Sequence, residues 1–333
     1  MGFTYPTPMA VATITRPAAV AEGYSVIYGQ PDRDYRRAEG VSQSELKEIL
    51  RSPAHYLARY GPDAVPTFPS AAMIIGTALH ARVLEPETFD GLFCNRGEVA
   101  KEPTVAELKE LLAAEGVEVP KAAKKPDLLA LAYPDGLPTE TRTTLAPEDF
   151  AAVEGMARAL QEHPAICRHG WLDSEAPGFR RMNEVSIYAE ASAALIGMPM
   201  KGRIDRLIRH GDGWIVIDLK STDSAGPDDF QRKAFGLGYD LQAAYYSHLI
   251  EQALGGPVSF LFAAIERRAP HAIAIYQASA ALLQSGREKM TRAADLLRFS
   301  RENDYWPSYG DGEILSLDPP AWARSKGPEL PGF

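Results

Sequence analysis

Two cysteines, Cys94 and Cys167, are all that the 333 residues contain, too few for a disulfide framework or a four-thiolate zinc or iron-sulfur site. No run of about 18 apolar residues occurs, so no transmembrane helix is expected. No charged segment leads into an apolar block near the start, which argues against a secretory signal. Pro6 stands where a myristoylation motif opening on Met1-Gly2 needs Ser or Thr. A cytoplasmic protein with no membrane partner is the expectation. An excess of positive charge is missing too. The net charge of −9 speaks against a uniformly basic surface that coats nucleic acid. It is compatible with an enzyme that gathers carboxylates around divalent cations and confines its phosphate contacts to a few cations in a cleft.

With 45% hydrophobic residues the chain can bury a full core, and one main domain with additions is expected. Residues 1–38 are rich in Pro, Ala and Thr and read as a mobile arm. In residues 39–100 the pattern turns helical. Ser42 and Glu45 make a capping box with Val41 stapled onto Leu46, Ser52-Pro53 recaps a second helix, and an apolar helix spans Ala71 to Leu84. Residues 101–135 form a separate unit, in which short amphipathic helices at 105–112 and 127–132 flank the extended segment Gly116 to Pro120. It resembles the SAP and HeH nucleic-acid-binding motifs, and Lys121, Lys124 and Lys125 lead into its second helix. A plain spacer with a solvated charged face is an equal reading. Residues 136–325 carry a helix from Pro147 to His163, strands from Asn183 onward, a helix from Tyr239 to Leu254, strands over Val258–Ile265 and Ala272–Gln277, and a last helix capped by Ser279. Residues 326–333 are a tail.

The chemistry concentrates in one hairpin. If Met200–Arg209 and Trp214–Lys220 are antiparallel strands joined at His210–Gly213, Arg209 faces Trp214, and each step back along one strand is a step forward along the other. Asp205 then lies opposite Asp218, and Arg203 opposite Lys220. Opposed side chains sit roughly 4.5–5.5 Å apart at Cβ, where like charges destabilise the pair. A divalent cation would neutralise two such acids. The strand Trp214-Ile-Val-Ile-Asp-Leu-Lys is mostly apolar and reads as buried, and buried charges need partners or metals. The plain alternative is a strand-end Asp218 and Lys220 at the surface, with Asp205 paired to Arg203 or Arg206.

These residues resemble a known family. Gly197, Gly202-Arg203-Ile204-Asp205-Arg206, then Asp218-Leu-Lys220-Ser-Thr222, then Gln242 and Tyr246 are similar to the P-D-(D/E)-x-K nuclease core of helicase-associated nucleases and exodeoxyribonuclease VIII. Gly76-Thr-Ala-Leu-His80 resembles the upstream helix of those proteins, and Ser52-Pro53-Ala-His-Tyr56 with Trp306-Pro307 looks like the phage exodeoxyribonuclease VIII branch. Ile204 replaces the proline of the motif. The resemblance implies an α/β fold, a restriction-endonuclease-like core with a central mixed β-sheet flanked by helices, here with a small helical insertion. Two cysteines exclude the iron-sulfur branch of the superfamily, and no P-loop accompanies the motifs as it would in a helicase.

The resemblance further implies that Asp205 and Asp218 hold Mg²⁺, or Mn²⁺ as substitute, as one or two ions, with the Leu219 carbonyl as a third oxygen. Lys220 would orient or help deprotonate the attacking water, its pKa lowered by the cation and by burial. His80 would be a further ligand, although a lone His on an apolar helix face is ordinarily a satisfied core residue. Gly76, one turn earlier, would let another backbone or DNA come close. Glu184 would approach the metal, against an exposed strand-end reading, with Glu190 as fallback. Gln242 and Tyr246 would contact DNA or position Lys220, against an ordinary core role. Arg203, Arg206, Lys201, Arg51 and Arg59 would grip phosphates or balance acids. The implied reaction is 5′-to-3′ exonuclease action on duplex DNA ends in a bacterial or phage-infected cell, with a single-strand annealing protein as partner and a homo-oligomeric ring as the assembly.

Overall fold

The computed structural model of the chain describes residues 20–65, 68–98, 103–117, 119–120, 123–133, 141–172 and 182–318. In order these form β1 (Tyr24–Ile27), α1 (Asp32–Arg37), α2 (Gln43–Arg51), α3 (Pro53–Tyr60), α4 (Ala71–Leu84), α5 (Pro86–Leu92), β2 (Phe93–Asn95), α6 (Val105–Ala114), α7 (Lys125–Ala132), β3 (Thr143–Leu145), α8 (Pro147–Glu162), α9 (Pro164–His169), β4 (Asn183–Ala189), β5 (Met200–His210), β6 (Gly213–Thr222), α10 (Pro227–Gly236), α11 (Tyr239–Leu254), β7 (Val258–Glu266), β8 (Ile273–Gln277) and α12 (Ala280–Asn303).

Strand parity sorts the interior into two layers. The central sheet has the order β1-β4-β5-β6-β7-β8. All its pairs are antiparallel except β6–β7, and that parallel pair requires the crossover that α10 and α11 supply. Because successive strand side chains alternate faces, Val216 faces the core that holds Leu46 and Ile49 of α2, Leu249 of α11 and Leu297 of α12. Ile217 and Leu219 face the core on the other side, which holds Leu79 of α4 and Met156 and Leu160 of α8. The fold is the mixed α/β arrangement expected of a restriction-endonuclease-like core.

The periodic helices lie where the pattern puts them, because caps and stripe agree. Ser42 and Glu45 make the reciprocal capping box, Ser52 caps α3 with Pro53 in its first turn, and α4 and α11 span the expected residues. Residues 105–132 form the expected helix pair, closed on a small core of Leu108, Leu112 and Leu128. Lys121 and Glu118 of that unit, residues 1–19 of the arm and the tail at 326–333 lie outside the described residues.

The arm reading fails for its second half. Tyr24–Ile27 is an edge strand paired to β4, from Tyr24↔Ala189 to Ile27↔Ser186, and Asp32–Arg37 is a helix. Four residues alternating half-buried and exposed are too few for a period-2 signal to stand out from a Pro- and Ala-rich context. The short parallel pair β2–β3 and the helices α5 and α9 escaped the pattern for the same reason: each is short and turns only a few side chains inward.

Candidate metal centre and active site

The β5–β6 hairpin has the register that its turn dictates, from His210↔Gly213 and Arg209↔Trp214 to Arg206↔Ile217. The ladder stops there. Beyond it β5 stays paired to β4, with Ser186↔Arg203, and β6 to β7, with Lys220↔Ala264. The expected opposition of Arg203 and Lys220 is therefore not formed. Asp205 and Asp218 sit one step past the last pair, where two strands held by other neighbours part. Asp205 Oδ2 accepts the Leu219 backbone N–H at 2.9 Å, which satisfies a donor that the ended ladder leaves over.

Two groups of side chains meet at this opening. In the first, His80 Nδ1 lies 3.6 Å from Asp205 Oδ2 and 3.9 Å from Glu184 Oε1, and the three residues offer ligand atoms within 4.8 Å of one another. His80 reaches them from α4. Its Nε2 is 3.1 Å from the Leu219 carbonyl oxygen, a contact that requires a proton on Nε2 and leaves Nδ1 facing the acids. Glu184 reaches them because its backbone sits at φ 48, the left-handed region that costs a residue with a Cβ. Its neighbours pair normally, Asn183 with Arg206 and Val185 with Ile204, so the strand is distorted at the acid alone.

In the second group, Asp218 is 1% exposed. Its Oδ2 lies 2.5 Å from Lys220 Nζ, and its Oδ1 accepts the Gln242 amide N–H at 2.7 Å. Strand parity directs Asp218 and Lys220 toward α11, and Gln242 meets them from the first turn of that helix. Lys220 Nζ also lies 4.9 Å from the Tyr239 ring centroid. Tyr239 is a site residue that the sequence reading missed, although its spacing from Gln242 puts both on one helix face.

The electrostatics follow from burial and proximity. Burial pushes the Asp205 carboxyl up to about 7, with Asp218 and Glu184 adding to the rise and His80 and Lys220 opposing it. Burial opposes a charged His80, yet Asp205 and Glu184 outweigh it and lift the imidazole to about 9. For Lys220 burial disfavours the ammonium, but Asp218 and Asp205 outweigh burial and raise its pKa. This triad of one imidazole and two carboxylates fits a divalent metal by its donor set.

The remaining expected residues divide. Arg206 is corrected: it is 1% exposed, donates to Asn183 Oδ1 at 2.6 Å and cannot grip DNA, because its position on β5 points it into the interior opposite Asn183. Arg203 balances an acid, with Nε 2.5 Å from Glu184 Oε2 and Nη1 donating to the Gln30 carbonyl at 2.8 Å. Lys201 donates to the Ala38 carbonyl at 2.6 Å. Tyr246 is a core residue at 6% exposure, packed where a Cβ on Gly202 would come within 3.2 Å of its ring. Among the described residues Gly76 faces no backbone of another element: an added Cβ would meet Ser221 Oγ, at 3.6 Å. Glu190 is exposed beyond the far end of β4. Arg51 and Arg59 are partly exposed and share Glu48, and Lys124 is exposed and Lys125 half-buried on the helical insertion.

Comparison with known proteins gives the family. Residues 42–317 match the family described as a PDDEXK-like domain of unknown function (DUF3799). The chain belongs to this PDDEXK-like family. No curated protein matches it. Among solved structures, an inferred exonuclease of Eubacterium rectale superposes with a TM-score of 0.55 at 14% identity, over 90% of this chain and 98% of its own. That likeness shows a shared fold. A Vibrio cholerae protein, at 12% identity over 84% of this chain and 58% of its own, reaches a TM-score of 0.23. Among the described residues, no helix of this PDDEXK-like chain is long and apolar enough to cross a membrane.

Proposed function

We propose that this PDDEXK-like chain is a metal-dependent deoxyribonuclease that hydrolyses phosphodiesters. The observation that carries the reading is the adjacency of the His80–Glu184–Asp205 triad to the Asp218–Lys220 ion pair at the opening of one hairpin. His80, Glu184 and Asp205 would hold Mg²⁺ or Mn²⁺, with Asp218 and the Leu219 carbonyl next to them. A cation in such a site lowers the pKa of bound water and polarises a phosphoryl oxygen. Lys220, kept cationic by Asp218, faces the attacked phosphate and neutralises charge that develops on it. Gln242 fixes Asp218, and Arg203 fixes Glu184. Nothing in this chemistry reads base identity, so contacts are to backbone and sequence preference is weak.

Within that reading, action from the 5′ end of linear duplex DNA, leaving 3′ single strands for an annealing partner in recombination, is supported by the motif resemblance and by the fold shared with an inferred exonuclease. A ring-shaped homo-oligomer and a role for the 101–135 unit on DNA belong to the same proposal. The test is linear duplex DNA with Mg²⁺ or Mn²⁺, comparing wild type with Asp218→Ala and Lys220→Ala. Intact DNA with wild type under both metals would sink the nuclease reading. End-labelled and circular duplexes in the same assay decide polarity and separate exonuclease from endonuclease.

A further inference from the structure

Beside the ion pair stands a cation that the reaction above does not use. Lys47 projects from α2 and is half-buried. Its stem runs over Gly238, where an added Cβ would meet Lys47 Cε at 3.2 Å and Cδ at 3.5 Å. Its ammonium lies 5.7 Å from the Tyr239 ring centroid, the ring that also carries Lys220 Nζ at 4.9 Å. Two cations thus flank one tyrosine, but they differ in their partners. Lys220 has Asp218 at 2.5 Å. Among the described residues Lys47 has no hydrogen bond and no ion pair.

Among the described residues, the acids that act on Lys47 and those of its own helix are engaged elsewhere. Asp218 is taken by Lys220 and Gln242. Asp240 is taken by Ser285 and Lys289, each at 2.7 Å. On its own helix, Glu45 returns to cap the Ser42 N–H and Glu48 pairs with Arg59. A lysine near the surface ordinarily carries its head into water, and a cation partly withdrawn from water without an acid is costly. The weak attraction of a ring at this distance does not offset that cost.

We propose that Lys47 is a substrate-binding residue whose ammonium takes a non-bridging oxygen of a DNA phosphate next to the one that Lys220 faces. The proposal rests on the nuclease reading for its substrate and on the shared Tyr239 ring for its place. Burial first, and then the charge of Lys220, hold the Lys47 pKa down to about 7 against the pull of Asp218 and Asp240. A phosphate oxygen supplies the counter-charge that the protein withholds.

The experiment uses the full chain, with Lys47→Met, which keeps the stem over Gly238 and removes the charge, and Lys47→Arg, which keeps the charge. Affinity for a labelled short blunt duplex DNA is measured in Ca²⁺ across a salt series, with Tm recorded for each protein. The expected result is weaker binding by Lys47→Met and a log–log salt slope shallower by about 1 than wild type, with Tm unchanged or raised and the slope restored by Lys47→Arg. An unchanged slope overturns the proposal, since a packing role would not set the number of phosphates neutralised. Should Lys47→Met fold poorly, Lys47→Gln replaces it in the same series. Cleavage in Mg²⁺ or Mn²⁺ is scored separately. A wild type that binds through Lys47 but does not cut overturns the nuclease reading and leaves this one standing. A wild type that cuts with a Lys47-independent slope does the reverse, and one that neither binds nor cuts overturns both.

Discussion

Asp205 is held to β6 by the Leu219 N–H, 2.9 Å from its Oδ2, at the point where the hairpin ladder has ended at Arg206–Ile217. An amide oxygen could accept the same bond, so Asp205→Asn keeps the tie and removes only charge. The carboxyl is raised from its ordinary 3.8 to about 7 by burial first and by Asp218 and Glu184 next. An acid with a raised folded pKa supports the fold below its unfolded pKa and loses that support as pH climbs through the folded one, here between about 4 and about 7. At neutral pH in chelator, Asp205→Asn should therefore melt above wild type, by about 2–4 °C for each kcal/mol relieved. Mg²⁺ or Mn²⁺ at about 100 times its Kd should stabilise wild type by about 2.7 kcal/mol and the variant far less. Equal metal-induced shifts in thermal melts of the two proteins would contradict the ligand assignment.

The Asp218–Lys220 pair separates stability from activity. Removing either partner strands a buried charge, and Asp218→Ala should cost about 3–5 kcal/mol in denaturant unfolding. The double variant Asp218→Leu with Lys220→Met should recover most of that loss, because an apolar pair needs no counter-charge. Cleavage should stay lost in all of them, and in Lys220→Ala by about 10²-fold or more. A double variant that cuts DNA would exclude both residues from the chemistry.

Asn183 bridges two elements: its amide N–H donates to the Leu84 carbonyl at the end of α4 at 2.5 Å, and its Oδ1 accepts from Arg206 at 2.6 Å. Asn183→Ala should destabilise by about 1–3 kcal/mol and, by loosening α4, weaken metal binding at His80. Calorimetric titration with Mn²⁺ reads the second effect. A variant with normal Mn²⁺ affinity would show that the bridge does not position the histidine.

Much of this was legible before the structure, and the limits are physical. The hairpin register followed from turn length, the helices from caps and stripes. Which acids gather with His80 did not follow from ladder arithmetic, which assumes that pairing continues to the strand ends, and Glu184 came into view only through the family resemblance. Here β5 and β6 part at Asp205, and Glu184 enters through a backbone distortion that no residue type signals. Arg206 looked like a surface cation because alternation says which face a residue takes, not whether that face is covered. Lys47 went unread because nothing in a helical repeat marks a lysine whose acids are engaged elsewhere.

Gly202 shows how tightly the sheet is backed. A Cβ there would meet Leu249 Cδ1 at 2.8 Å and the Tyr246 ring at 3.2 Å, so Gly202→Ala should cost about 1–3 kcal/mol through overpacking. Combined with Leu249→Ala it should cost less than the sum of the two single changes, as measured by urea unfolding. A neutral Gly202→Ala would mean that α11 shifts freely.

The pair α6–α7 closes on its own three leucines, and the chain leaves and re-enters the main body at β2 and β3, which are clasped to each other. Deleting 103–133 leaves 96–102 and 134–142 between them, more than the dozen or so residues that a parallel connection requires, so the deletion should unfold with nearly the wild-type midpoint. A unit rooted on such a clasp is a cassette. Its lysines can be exchanged, lengthened or lost without retuning the carboxylates, so this unit can vary while the site at the hairpin opening stays fixed.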